Sequence, residues 1–204
     1  MSGQTIIPLP TRRHPATDAL PDAPVVMLVF VGFEAMMLAG MVGGFMLTRA
    51  NAAGAWPPAG QPWFAAEEMA IHSAALLISG SLAVLSGRAQ KRQDTKAGPL
   101  LLGAISLGAL FVLLQTVAWL TLVNQGLSLI STQPGAFFSL TMGLHNATAL
   151  GALVFMAVAW RRLRRLPAHD ELRRSLRGGT LSAARILWYF AVGTWPVLYL
   201  CLYR

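Results

Sequence analysis

Five long stretches of the chain are almost free of charge, and polar, proline- and glycine-rich segments separate them. The apolar stretches run roughly from Pro24 to Leu47, Met69 to Leu85, Pro99 to Val123, Phe137 to Trp160 and Leu181 to Tyr203. Each is near the ~20 residues that a helix needs to cross hydrocarbon. The breaks read NAAGAWPPAGQP, GRAQKRQDTKAG, NQGLSLISTQPG and RRLRRLPAHDELRRSLRGG, which are loop signals. Backbone amides in lipid must be satisfied within their own segment, so runs of this kind predict helices. The expected fold is therefore all-α, a polytopic five-helix membrane bundle over 24–204. A flexible tail over 1–23 precedes it: residues 1–24 carry five prolines and no apolar segment, which is neither a signal peptide nor a helix start.

Composition agrees with this reading. Of 204 residues, 55% are hydrophobic and 12% charged, and the mean hydropathy is +0.55, too oily for an ordinary soluble domain. A net charge of +8 is compatible with nucleic acid as a partner, but the basic residues cluster beside the apolar runs, where a membrane surface accounts for them. All lysines and arginines except Arg49 and Arg204 fall in the N-terminal tail, the second loop and the fourth loop with its flanks. Five crossings put those three regions on one side, so the positive-inside bias predicts the N-terminus inside and the C-terminus outside. Cys201 stands alone, which excludes a disulfide within the chain and a cysteine-based metal site.

Small residues at four-residue spacing, Gly143, Ala147 and Gly151 on the fourth helix and Ala39/Gly43 or Gly40/Gly44 on the first, allow close helix approach. Packing inside the bundle is the first reading of them, contact with a partner subunit the second.

Ionisable groups at depth are costly in a membrane helix and mark function by default. Glu34 lies about ten residues into the first helix, roughly 15 Å deep at ~1.5 Å per residue, and His145 lies roughly 13 Å deep from the opposite side. The two are expected to meet at similar depth. A bis-histidine haem would need His72 and His145 at one level, whereas their depths differ by roughly 7 Å. The chain is therefore expected to bind neither cofactor nor metal. His14 and His169 fall in polar regions, and Glu67 and Glu68 suit a helix N-terminus. No phosphate-binding loop, nucleophile elbow, zinc motif or inverted repeat is present, so no catalytic residue is assigned.

The order of short motifs carries a more specific signal: FxxxEAMMxAxxxxxxxxxR, then WPPAG, ALLISGS, LGALFVLLQ, GLH and finally WYFxxxTW. From Val25 onward this resembles subunit III of cytochrome c oxidase and related haem-copper oxidases, in a short, divergent five-helix form. By position the resemblance transfers the family's motif residues to Glu34, Trp56, Pro57, Pro58, Gly60, Gln115, Gly143, His145, Trp188, Phe190 and Trp195. It also marks departures: Asn146 and Thr148 replace the second glycine and histidine of GxHGxH, Tyr189 and Val192 the histidine and aspartate of WHFVD, and Ala118 a glutamate. The family's longer members have two further N-terminal helices; the five-helix form also occurs in quinol oxidases and beside nitric oxide reductase.

The resemblance implies a non-catalytic subunit in the inner membrane of a bacterium, with haem and copper in its catalytic partner. Stabilising that partner, supporting proton uptake and binding phospholipid in a cleft that guides oxygen are the roles it implies. On the same resemblance Glu34 is expected in a polar pocket of the bundle interior. The alternatives are an accessory protein of nitric oxide reductase or another respiratory complex, and an independent small transporter.

Overall fold

The computed structural model of the chain describes residues 23–52, 54, 56, 62, 66–127, 132–165 and 179–203. It contains five α-helices, α1 (Ala23–Ala50), α2 (Ala66–Lys91), α3 (Ala97–Asn124), α4 (Gln133–Arg165) and α5 (Thr180–Tyr203), and no strand among the described residues. All five are long and apolar enough to cross a membrane, so the chain is an all-α, multi-pass membrane protein. The proline-rich tail over residues 1–22 and motif residues Pro57, Pro58 and Gly60 lie outside the described residues. The helices run past the apolar stretches, most of all in α4, which ends on Arg161, Arg162, Arg164 and Arg165. Long cationic side chains reach water from a helix end whose backbone hydrogen bonding continues beyond the hydrocarbon.

Helices α4 and α5 pack together at the centre. Helix α1 lies across both; α2 packs closely on α3 and also on α5, and α3 on α4, so the order around the bundle is α1, α4, α3, α2, α5. The buried positions explain the arrangement. On α4 they include Phe138, Met142, His145, Ala149, Ala152, Met156, Ala159 and Leu163, and on α5 Leu181, Ala184, Trp188, Ala191, Trp195, Leu198 and Leu202. Steps of three and four alternate along both helices. That is a 3.5-residue repeat, the signature of left-handed helix packing at a shallow crossing angle, the commoner geometry of membrane bundles. Helix α3 follows with Leu101, Ala104, Gly108, Phe111, Gln115 and Leu122, and α1 with Glu34, Leu38 and Phe45. The opposite faces expose Val29, Phe33, Met36, Leu113, Leu140 and Val197, as apolar surroundings permit.

Close approaches occur where glycine meets a large side chain. A Cβ on Gly108 would lie 2.7 Å from the Trp188 ring and 2.8 Å from Leu153, one on Gly80 2.7 Å from Val192, and one on Gly44 2.6 Å from Phe137. The stripe of Gly143, Ala147 and Gly151 does not do this. Nothing lies within 4 Å of a Cβ built on either glycine, and Ala147 is exposed, so within the chain the stripe faces outward and the packing expectation is corrected. The 3.5-residue seam of α4 takes His145, Ala149 and Ala152 inward and turns the glycines away.

Two C-terminal turns hold the α2–α3 connection and the end of α3. Gly126, at φ 102°, lets Leu127 N–H reach the Leu122 carbonyl (2.9 Å) and its own N–H the Val123 carbonyl (3.1 Å), with Leu122 and Leu127 both buried. Gln93, at φ 56°, closes α2 in the same way: Asp94 N–H donates to Ala89 O (2.9 Å) and Gln93 N–H to Gln90 O (3.2 Å).

Candidate functional site in the bundle interior

The polar residues of the seams, rather than a surface cleft, form the candidate site. Glu34 occupies a seam position of α1 and is 1% exposed, in line with Leu38 and Phe45. Its partner is Thr148 of α4, whose hydroxyl donates to Glu34 Oε1 and also lies 3.0 Å from the Leu144 carbonyl one turn back. With both neighbours in reach, Thr148 finds an acceptor in either protonation state of the acid. Glu34 Oε2 has no partner among the described residues.

His145, also 1% exposed, does not pair with Glu34. The expected pair is corrected: Thr148, which meets Glu34, lies three positions along α4 from His145, and the ring turns toward α5 and α3. Its Nε2–H donates to the Ala191 carbonyl at 2.9 Å, which fixes the tautomer and leaves Nδ1 as a buried acceptor without a partner among the described residues. The imidazole stands 5.0 Å from the Trp195 ring, tilted 36°, and edge-on to Phe111 at 6.3 Å. Pro196 follows at once inside α5 and has no N–H for the Val192 carbonyl, which loosens the helix in the turn that His145 reaches.

Hydrogen bonds between helices accompany the packing around the bundle. Gln115 of α3 donates its amide to Met142 Sδ of α4 (3.2 Å), and the Tyr203 hydroxyl lies 3.7 Å from the same sulfur. Asn146 donates to Thr116 Oγ1 (2.7 Å), joining α4 to α3. Trp195 Nε1–H donates to Ser73 Oγ of α2 (2.7 Å), and Ser73 in turn to Met69 O (2.6 Å). Ser79 and Ser86 donate to the Ala104 and Ala97 carbonyls of α3 at 2.6 and 2.8 Å. Such bonds average only ~0.6 kcal/mol each in a membrane, so they fix rotation and register more than they add stability.

The remaining motif residues divide by location. Trp188 is fully buried against Gly108, whereas Phe190 is half-buried on α5. Gly143 is half-buried with open space beside it. Trp56 folds back onto the end of α1, edge-on to Phe45 at 5.6 Å and 5.9 Å beneath the Arg49 guanidinium. Among the described residues no three histidine, cysteine, aspartate or glutamate side chains gather as metal ligands would. Sequence reasoning treated Thr148 only as a departure from a motif and passed over Ser73 and Thr116. Their signal was the 3.5-residue spacing, which puts Thr148 beside seam position Ala149.

No family model matches the chain. Among curated proteins it is similar to the "Probable cytochrome c oxidase subunit 3" of Nocardia farcinica (strain IFM 10152), with 28% identity over 129 residues. The match takes in 62% of this chain and 63% of that protein's length.

Proposed function

We propose that this chain is a non-catalytic accessory subunit of a respiratory haem-copper oxidase, the subunit-III position of a cytochrome c oxidase. The observation that carries the reading is the similarity to a cytochrome c oxidase subunit 3 across 129 residues. The interior supports it: one buried acid held by a hydroxyl, a histidine spent on a backbone carbonyl, and interhelical bonds that serve packing. In this reading haem and copper belong to the catalytic partner, and the chain stabilises that partner, supports proton uptake and shapes lipid and oxygen access. The outward stripe of Gly143, Ala147 and Gly151 is where another helix can approach the α4 backbone closely. The protein lies in a bacterial inner membrane with phospholipid as its boundary, its arginine-rich helix ends inside.

The test is purification of the tagged protein in mild detergent, followed by a reduced-minus-oxidised spectrum, mass-spectrometric identification of companions and gas-consumption assays. A haem-copper catalytic subunit that consumes oxygen is the expected companion. One that consumes nitric oxide would move the chain to a nitric oxide reductase, and a haem-free monomer would overturn the accessory reading in favour of an independent membrane protein.

A further inference from the structure

At the arginine-rich end of the bundle, α2 and α5 part around a cavity of ≈ 530 Å³. The last turns of α2 contribute Arg88, Gln90 and Lys91 to it, and α5 contributes Arg185 and Tyr189. Gly87 keeps that wall low: a Cβ there would lie 3.8 Å from both Arg185 Nη1 and the Tyr189 hydroxyl. None of the described residues lining the cavity is acidic.

The Arg185 guanidinium is locked in place. Nη1 donates to Gln90 Oε1 at 2.6 Å and Nη2 to Ser86 Oγ at 3.2 Å, while Ser86 donates to Ala97 O at 2.8 Å. Its bonds therefore go to neutral oxygens, and Nε is buried with no partner among the described residues. A partly buried cation satisfied by neutral groups alone retains an uncompensated charge, which an anion with several acceptor oxygens removes best. Arg88 and Lys91 add two further positive charges at the rim, and the Tyr189 hydroxyl adds a neutral donor. The cavity's other side is apolar, with Val84 and Ile186, and Leu85 beside them is 45% exposed.

We infer that the cavity between α2 and α5 is a phosphate-binding site, in which Arg185 is the fixed ligand and Arg88 and Lys91 are the mobile ones. Its place at the helix ends, beside an apolar wall, suits the phosphodiester of an anionic phospholipid whose acyl chains continue along Val84 and Leu85. The site stands independently of which respiratory complex the chain accompanies.

The test is native mass spectrometry of the full chain in mild detergent, titrated with phosphatidylglycerol, phosphatidylcholine and inorganic phosphate. The wild type is expected to retain phosphatidylglycerol in preference to phosphatidylcholine. Arg88→Gln/Lys91→Gln leaves the Arg185 clamp intact and is expected to bind it about 30-fold more weakly, from roughly fivefold per cation. Arg161→Gln/Arg162→Gln removes equal charge from the end of α4 and is expected to bind as the wild type does. If inorganic phosphate binds wild type and not the cavity variant, while the two lipids bind alike, the site is real and its ligand is free phosphate. Equal retention of both lipids with no phosphate binding, or equal losses in both double variants, would overturn the proposal.

Discussion

The contact between Gly108 and Trp188 gives the sharpest test of the packing, because one methyl group decides it. Alanine is a better helix former than glycine, so Gly108→Ala gains about 1 kcal/mol from propensity alone. Against this, its Cβ would meet Trp188 at 2.7 Å and Leu153 at 2.8 Å. The Leu153 methyl can rotate away, but Trp188 is fully buried in the α5 seam and its ring has nowhere to go. Overpacking of this kind costs about 1–3 kcal/mol, which leaves a net loss of up to ~2 kcal/mol. Gly143→Ala has nothing within 4 Å of its new methyl and keeps the whole propensity gain. The variants differ by that overpacking cost, so at ~2–4 °C per kcal/mol for a chain of this size their midpoints should diverge by about 2–12 °C in thermal unfolding followed by far-UV circular dichroism in detergent. Trp188→Phe removes the ring atoms that Gly108 touches, so the double variant should recover part of the loss, with a coupling of about 0.5–3 kcal/mol. Equal midpoints for Gly108→Ala and Gly143→Ala would show that α3 and α5 do not meet as described.

Three further expectations follow from the interior and the topology. Glu34→Leu should not lower the unfolding midpoint and should raise stability by up to about 1–3 kcal/mol, because Thr148 keeps the Leu144 carbonyl as acceptor while a buried carboxyl is removed. In the proposed oxidase role, haem content of the complex that contains the variant should be unchanged and its durability during turnover altered; a less stable bundle would make Glu34 structural. His145→Phe keeps the aromatic contacts and gives up one hydrogen bond, about 0.5–1.5 kcal/mol, whereas His145→Ala also opens a cavity and should cost about 3 kcal/mol; equal losses in chemical denaturation would refute the stacking role. In a Cys201→Ser background, Arg92→Cys should react with a membrane-impermeant maleimide only after the cells are opened, and labelling of intact cells would reverse the orientation.

The five helices were legible because hydropathy reports directly on what hydrocarbon accepts. The partner of each polar side chain was not. Depth alone matched Glu34 with His145, but rotation about α4 decides which group faces α1, and rotation is set by the 3.5-residue seam rather than by distance from the membrane edge. That seam was present in the spacing of Phe138, Met142, His145, Ala149 and Ala152, masked by the small residues on the opposite face that resemble a packing motif. Arg185 was read as one charge among many at the helix ends. Its clamp needs Gln90 and Ser86, nearly a hundred residues away in the chain, and no local pattern encodes a meeting of that kind.

The bond between Glu34 and Thr148 spans 114 residues of sequence, which turns a spatial fact into a matter of timing. During synthesis α1 enters the bilayer long before α4 exists, and at ~5–20 residues per second the ribosome needs about 6–23 s to deliver Thr148. For that interval the acid on α1 lacks its native donor, the Thr148 hydroxyl, and α1 waits beside other helices or at the translocon. Of the five described helices, the first made is thus among the last to be seated, because its partners are α4 and α5.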